Sequence, residues 1–481
     1  MKRPILLVAI LVSLSIVVYK YFGLGIFAIA LLLSLALCTV LVERLSYLFI
    51  ILCIFIGIFF SVFNVNSKID TSKFYSDKDY EIKCVAISDE VLTDNAKRIT
   101  VKTTKDNGKL SNTKFNLYYK DKNLVCGQVL SVNVNFMEFD DKGYDLNNGI
   151  YGNLWLVNIE KTSKNNKFYY FLGATRKYIK TFLKDNLSYK NQTIVTSIIL
   201  GDKSMLDEDF YSMVKASGVS HIMAVSGLHL SVILGFLFLV FSIIIRNKYI
   251  KFVFSFVSIL VISGICGFTP SVLRAGLMFL IFAFASLINR DTDVLSVISF
   301  AILIILLSSP MLLFSISFQM SVSAIISVIY VTPFYLKFIL KHIKNKGILK
   351  VLISAVLVSL LAQVFTMPFA IYNFECISLI SVLTNILISV PTTIIIQFTI
   401  SGMILNFLPF VPYLIMKSVD ILTSYIRFVI LSLGGLKYSA IAVPRYFCVF
   451  PVIVIFTLLA LRIILERRET LYGDNRRRNA D

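Results

Sequence analysis

Uninterrupted apolar runs constrain this chain more than any motif does. Within residues 219–245 the stretch "GLHLSVILGFLFLVFSIII" carries no formal charge apart from its histidine. A helix needs about 20 such residues to cross the hydrocarbon of a bilayer. Runs of this kind recur at 4–19, 23–42 and 45–63, and again at 219–245, 252–268, 271–288, 294–309, 311–336, 349–372, 376–411 and 447–465. The composition agrees: 57% of the 481 residues are hydrophobic and the mean hydropathy is +0.80. A soluble globular domain is therefore excluded. The opening "MKRPILLVAILVSLSIVVYKYF" lacks a small-residue cleavage site and runs into a second apolar segment, so it reads as a retained signal anchor.

The formal net charge of +19 invites a nucleic-acid reading, but its placement points first to topology. Short basic connectors, "RNKYIK" at 246–251 and "KFILKHIKNKGILK" at 337–350, carry much of the excess. Short cytoplasmic loops collect Lys and Arg. Lys2 and Arg3 place the N-terminus inside by the same rule, and the basic tail "RRETLYGDNRRRNAD" is read as inside too. The expectation is a multi-pass protein of the bacterial cell (inner) membrane with both termini cytoplasmic.

Residues 66–165 change character. They hold nearly equal numbers of acids and bases and alternate in the period of strands. "YEIKCVAI" (80–87), "RITVKTT" (98–104), "KFNLYYK" (114–120), "CGQVLSVNVNF" (126–136) and "NLWLVNI" (153–159) are separated by Asn-, Gly- and Asp-rich turns. Five short strands suit a small closed barrel such as an OB-fold, or a two-layer sandwich. The fold class is thus a polytopic α-helical membrane protein of about ten transmembrane helices with an inserted extracytoplasmic all-β, OB-like domain. Cys84 and Cys126 are the cysteines of this domain; in an oxidising compartment they form a disulfide, and otherwise they are two buried thiols. Neither a CxxC pair nor a Cys/His cluster with metal spacing occurs, so no metal or other cofactor is expected.

The domain plan follows: a three-helix anchor at 1–65, the barrel at 66–165, amphipathic membrane-surface helices at 166–217, a multi-helix membrane domain at 218–465 and a basic tail at 466–481. In "SMLDEDFYSMVKASG", Ser204 and Asp207 have capping-box spacing, and Gly218 is placed to end the helix. Region 376–411 holds Asn385, Pro391, Gly402 and Pro409, which suits a broken or re-entrant helix, and 412–433 is amphipathic.

The chemistry-bearing residues sit inside the apolar segments. In "VSHIMAVSGLHLS" (219–231), helical spacing would put His221, Val225 and His229 on one face and small residues Gly227, Ser231 and Gly235 in a row. The histidines then either line a cavity or hydrogen-bond between helices. Ser226 and His229 have the spacing of a nucleophile and base, but no carboxylate stands nearby to orient the imidazole. In "CGFTPSVLRAGLMF" (266–279), Thr269 and Pro270 start a helix, and Arg274 is either an interfacial anchor or a cation at a pore mouth. Gln319, Gln363 and Asn385 add long neutral amides to three further segments, as lining of an aqueous path or as contacts between helices. In the β-domain, Phe115, Tyr118, Tyr119 and Trp155 are either barrel core or stacking surfaces for bases.

These blocks carry a resemblance. "TSIILGDKSMLDEDFYSMVKASGVSHIMAVSGLHLSVI" (196–233), followed in order by "GFTPSVLRAGLM", "SSPMLLFSISFQMS" and "AQVFTMPFAIYNFECISLISVLTN", resembles the ComEC-type competence proteins. The β-domain, with "FDDKGYDLNNGIYGN" before its last strand, is similar to the extracellular OB-like domain of that family. The likeness runs from about 65 to about 410 and implies a channel that passes one strand of transforming DNA across the inner membrane. It implies single-stranded DNA as cargo, membrane lipid as surroundings, and as partners a DNA receptor outside, an ATPase motor in the cytoplasm and a separate nuclease, because the chain has no Walker motif and no His-x-His-x-Asp-His run. Many family members carry a further metallo-β-lactamase-like domain, so this chain reads as a short form with no catalytic residue. The resemblance supplies no role for any single matched residue. Two alternatives come from other classes: a membrane-embedded serine hydrolase or acyltransferase using Ser226 and His229, and a small-solute transporter, which inverted repeats would support.

Overall fold

The computed structural model of the chain describes residues 79–92, 96–104, 107, 110–120, 122–137, 150–163, 165–289, 293–308, 310–341 and 347–478, with six positions between 9 and 17. The expected anchor segments at 23–42 and 45–63, more than half of 4–19, and the "FDDKGYDLNNG" turn lie outside the described residues.

Strands form where the alternation lies. They are β1 (Tyr80–Ala86), β2 (Val91–Leu92), β3 (Lys97–Thr103), β4 (Lys114–Tyr119), β5 (Val129–Met137) and β6 (Ile150–Ser163). Their order is β1-β5-β6-β4-β3-β2, and β1 also pairs antiparallel with β3, so the sheet closes on itself. That closure decides for a barrel over a sandwich. One pair, β4–β6, is parallel. Along β5 buried and half-exposed positions alternate strictly until Met137. Ile82, Ile99, Leu117, Leu130 and Leu154 fill the interior.

The expected disulfide is not formed. Cys84 and Cys126 are both buried free thiols. Cys84 points into the apolar barrel core, and burial pushes its thiol up to about 12. Cys126 lies on the β4–β5 loop, where its Sγ donates to the Tyr169 carbonyl at 3.4 Å.

The helices are α1 (Lys167–Asn186), α2 (Tyr189–Leu200), α3 (Glu208–Ala216), α4 (Gly227–Ile244), α5 (Lys248–Ile265), α6 (Pro270–Leu287), α7 (Val294–Ser308), α8 (Ile316–Ile326), α9 (Thr332–Leu340), α10 (Ile348–Phe374), α11 (Ser381–Ile404), α12 (Val411–Gly434) and α13 (Val449–Arg478). A two-stranded ribbon, β7 (Cys376–Ser378) with β8 (Ala440–Ala442), joins the chain before α11 to the chain after α12. Among the described residues six helices are long and apolar enough to cross a membrane: Gly227–Ile244, Lys248–Ile265, Ile316–Leu340, Ile348–Phe374, Ser381–Ile404 and Arg445–Leu465. Ser271–Leu287 and Val294–Ser308 are apolar but shorter. The chain is a multi-pass helical membrane protein with a β-barrel domain.

The chain divides into two compact units. The first comprises residues 1–185 and 225–315, the second 186–224 and 316–481. In the first, α4, α5 and α6 pack on one another around Val225, Leu230, Leu234, Cys266 and Val272. Gly276 permits the approach of α6 to α5, since a Cβ there would stand 2.7 Å from the Ile259 side chain. The row expected from Gly227, Ser231 and Gly235 is not a helix contact throughout. Gly227 meets Ala275, but Ser231 is exposed and Gly235 has nothing within 4 Å.

In the second unit, α2 corrects the expectation of a surface helix. Asn191 through Leu200 are all buried, and α2 packs against α11 and α12. Its polar start is held by Asp420 of α12, whose carboxylate accepts from Asn191 Nδ2 at 2.7 Å and from Ser188 Oγ at 3.1 Å. Nor does α3 start at Ser204. Its N-cap is Asp207, because Ser204 turns back to the Asp202 carboxylate at 2.6 Å. The expected break in 376–411 is also displaced. α11 runs unbroken through Asn385, Pro391 and Gly402, and the interruptions fall before it, at the β7 ribbon, and after it, at 405–410 around Pro409. Within α11, Ser389, Thr392 and Thr393 donate to carbonyls four residues back, the local hydroxyl contacts that make Pro tolerable in an apolar helix.

Candidate functional site

The barrel presents one face with the residue types that bind nucleic acid. Cross-strand partners point to the same side of a sheet. The register aligns Arg98 of β3, Tyr118 of β4, Trp155 of β6 and Asn135 of β5 in one row across four strands. The neighbouring row is Thr100, Asn116, Asn153 and Met137. Its amides are linked, Asn116 Nδ2 donating to Asn153 Oδ1 at 3.3 Å. Beyond these rows Lys102 and Lys114 stand opposite each other. Burial, and then the charge of Lys102, hold the Lys114 ammonium below its ordinary pKa. Tyr118 and Trp155 are half-exposed, and Asn135 Oδ1 is buried without a hydrogen-bond donor.

Two of the four expected stacking residues do not belong to this face. Phe115 and Tyr119 alternate to the other side of β4 and lie in the core. The Tyr119 hydroxyl donates to Glu90 Oε2 at 2.8 Å. Burial opposes ionisation of Glu90, yet the Lys97 ammonium at 3.0 Å and the Tyr119 hydroxyl outweigh it and hold the carboxyl below its usual range. Arg98, Asn135 and the Lys102–Lys114 pair escaped the sequence reading; strand alternation puts Arg98 and Tyr118 on the outward faces of their strands, but the register that pairs them comes only from the structure.

In the second unit Gly218 is the structural centre of the histidine motif. It has φ +76°, and its N–H donates to the Lys215 carbonyl while that of Val219 reaches Val214, the two bonds of a Schellman stop. The Ser378 hydroxyl donates to the Ala216 carbonyl at 2.7 Å. A Cβ at 218 would stand 2.4 Å from the Ser381 side chain and 2.9 Å from that of Ser378. Gln363 of α10 completes this junction by donating to the Ser378 carbonyl at 3.1 Å. Asn385 lies one turn beyond Ser381, its Oδ1 buried and without a donor. Gln319 is half-buried on α8. So "ASGVSHIM" and "ISLISVLTN", far apart in sequence, meet at Gly218, and the contact serines Ser378 and Ser381 carried no signal in isolation.

The expected helical face of His221, Val225 and His229 does not exist. After Gly218 the chain turns until Ser226, and α4 begins at Gly227. His221 is exposed in that turn. Ser226 Oγ accepts from the His229 backbone N–H at 3.3 Å, and His229 Nδ1 accepts from the Ser226 N–H at 3.5 Å. This is a capping box with His in the place of Glu or Gln. In this contact Nδ1 is the acceptor. Ser226 and His229 are spent on each other's backbone, which is not the hydroxyl-to-imidazole contact that activates a serine. Arg274, on α6 after the Thr269 N-cap and Pro270, corrects the expectation of a snorkelling anchor. It is 1% exposed, the largest fully buried side chain described, and donates to Ser271 Oγ at 3.2 Å. Among the described residues no group of three or more His, Cys, Asp or Glu is placed to hold a metal ion.

A closed barrel joined to helices of membrane-crossing length, with half-buried amides and a buried arginine on the apolar helices, defines a polytopic membrane protein. Residues 198–468, more than half of the chain, match the family described as Competence protein, and the chain belongs to that family. It is 27% identical to ComE operon protein 3 of Bacillus subtilis (strain 168) over 335 residues, which is 69% of this chain and 42% of that protein. The chain thus spans less than half the length of that curated relative. No solved structure matches.

Proposed function

We propose that the chain forms the membrane passage for a single strand of transforming DNA during competence, with the barrel as its receiving domain on the outer side. The observation that carries this reading is the row Arg98–Tyr118–Trp155–Asn135, two half-exposed aromatic rings flanked by a guanidinium and an amide. Aromatic rings stack bases without needing net charge, which suits a domain whose charges nearly balance. Lys102 and Lys114 repel each other in register, and a phosphate between them would relieve that repulsion.

The orientation is inferred from α5. Its carbonyl end bonds to Arg176 beside the barrel, and its other end carries Arg246, Lys248 and Lys251. Its 18 residues span about 27 Å at about 1.5 Å each, close to the hydrocarbon thickness. With the basic end inside by the positive-inside rule, the barrel lies outside. His221, Gln319, Gln363 and Asn385, all of the second unit, are the polar groups proposed to serve the path. A motor, a receptor and a nuclease would be supplied by other proteins.

The test uses Trp155, the single tryptophan of the chain. Excited at its red edge, the full-length protein in vesicles should lose Trp155 fluorescence on addition of an oligonucleotide. Tyr118→Ala should weaken the midpoint by about 1–3 kcal/mol, the range for one stacked base. Unchanged fluorescence at saturating oligonucleotide would remove the barrel from the DNA path.

A further inference from the structure

The geometry points to Arg176 as the positioning residue that locks the barrel onto the membrane helices of its unit. α1 follows β6 directly and lies against the barrel with no room to spare. At Gly127 (φ +92°) a Cβ would stand 2.4 Å from the Tyr170 nitrogen, and at Gly173 one would stand 2.7 Å from the Cys126 side chain. From the next turn of α1, Arg176 reaches α5. Its Nε donates to the Ile265 carbonyl at 2.7 Å and its Nη2 to the Gly264 carbonyl at 2.7 Å. The third nitrogen, Nη1, faces Asp89 of the β1–β2 loop at 3.5 Å, and Lys180 holds the same carboxylate at 3.1 Å. Leu172 packs on Gly264, where a Cβ would stand 2.7 Å from it.

One buried guanidinium thus joins three elements. The last carbonyls of a helix lack partners within it and carry its negative dipole end, so a cation is favoured there. A rigid planar fork reaches two successive carbonyls and a carboxylate together, which an ammonium cannot do. Arg176 is 6% exposed, so its bonds are shielded from water and salt. Asp89 is the weaker partner, at longer distance and with 30% of its side chain exposed. The latch fixes where the barrel sits relative to the carbonyl end of α5 and the α5–α6 turn. Its consequence for uptake rests on the DNA reading above; the latch itself does not.

The experiment measures both. Spin labels at Asn158 on the barrel and Arg246 at the far end of α5, both exposed, are attached to the full chain in vesicles, with accessible native cysteines replaced by Ser. The unaltered latch should give one narrow distance distribution. Arg176→Gln keeps the bulk of the side chain but loses the fork and the charge. It should broaden the distribution and lower internalised DNA about tenfold, while oligonucleotide quenching of Trp155 stays within about twofold. Arg176→Lys should recover part of both losses, and Asp89→Asn should change each least. An unchanged distribution in Arg176→Gln overturns the latch, whatever happens to uptake. A broadened distribution with normal uptake overturns the positioning role. If the unmodified protein supports no uptake while Arg176→Gln still broadens the distribution, the DNA reading fails and the latch stands.

Discussion

At the scale of single residues, histidine and glycine carry the family motif for unlike reasons. His229 closes a capping box through Nδ1, so a glutamine is its nearest replacement and an alanine is not. His229→Gln should keep the stability of the folded protein within about 0.5 kcal/mol, and His229→Ala should cost about 1 kcal/mol, read as a thermal shift in detergent. Were His229 a catalytic base, both would abolish a turnover and neither need shift the melting point. Gly218 is constrained twice, by its left-handed backbone and by the serines against it. Gly218→Ala should lower stability by about 2 kcal/mol or more, the sum of a left-handed non-glycine and an overpacked contact. Glu90 gives a pH signature. Its carboxyl is held below the ordinary range in the folded barrel, so its contribution is present above the ordinary carboxylate pKa. That contribution is lost as pH falls through the folded value, and Glu90→Gln should flatten this part of the acid limb of barrel unfolding, followed by Trp155 emission. A limb of identical shape in Glu90→Gln would remove the assignment.

At the scale of elements, strand alternation was legible, and so was the Thr269–Pro270 start of α6, whereas the starts of α3 and α4 were not. Each of the five expected strands formed within a few residues of its reading, because a half-buried strand writes its two faces into the sequence. Alternation also separates the aromatics. Phe115→Ala should cost the barrel about 3–5 kcal/mol as a core deletion, whereas Tyr118→Ala should leave stability nearly unchanged and weaken DNA binding. Equal melting shifts for the two would contradict the assigned faces. In the apolar segments, composition gives length but not register. A run from 219 looks continuous, yet the chain turns through 217–226 because Gly218 stops α3 and Ser226 caps α4. The side chains bonding from elsewhere, such as Ser378 and Arg176, are invisible to any local pattern. α2 departs from the membrane-surface placement expected for 166–217 for a related cause: Asp420, Met223 and neighbouring carbonyls satisfy several of its polar side chains inside the unit.

At the scale of the whole molecule, the fold class and the family were readable from the sequence, and the site was readable only in part. Apolar run length marks a membrane protein because no water is available in the bilayer to solvate a backbone. Of the residues singled out in the sequence, Ser226, His229 and Arg274 belong to the first unit and His221, Gln319, Gln363 and Asn385 to the second. Sequence order could not show that division, since the motif at 196–233 itself changes unit between 224 and 225. The central claim is that this chain carries a DNA strand across the membrane. It is tested most directly by deleting the chain from its cell and supplying end-labelled transforming DNA, then counting label that resists external nuclease. The account predicts label bound outside at near-normal level and protected label reduced to background. Protected label at the normal level without the chain would contradict it.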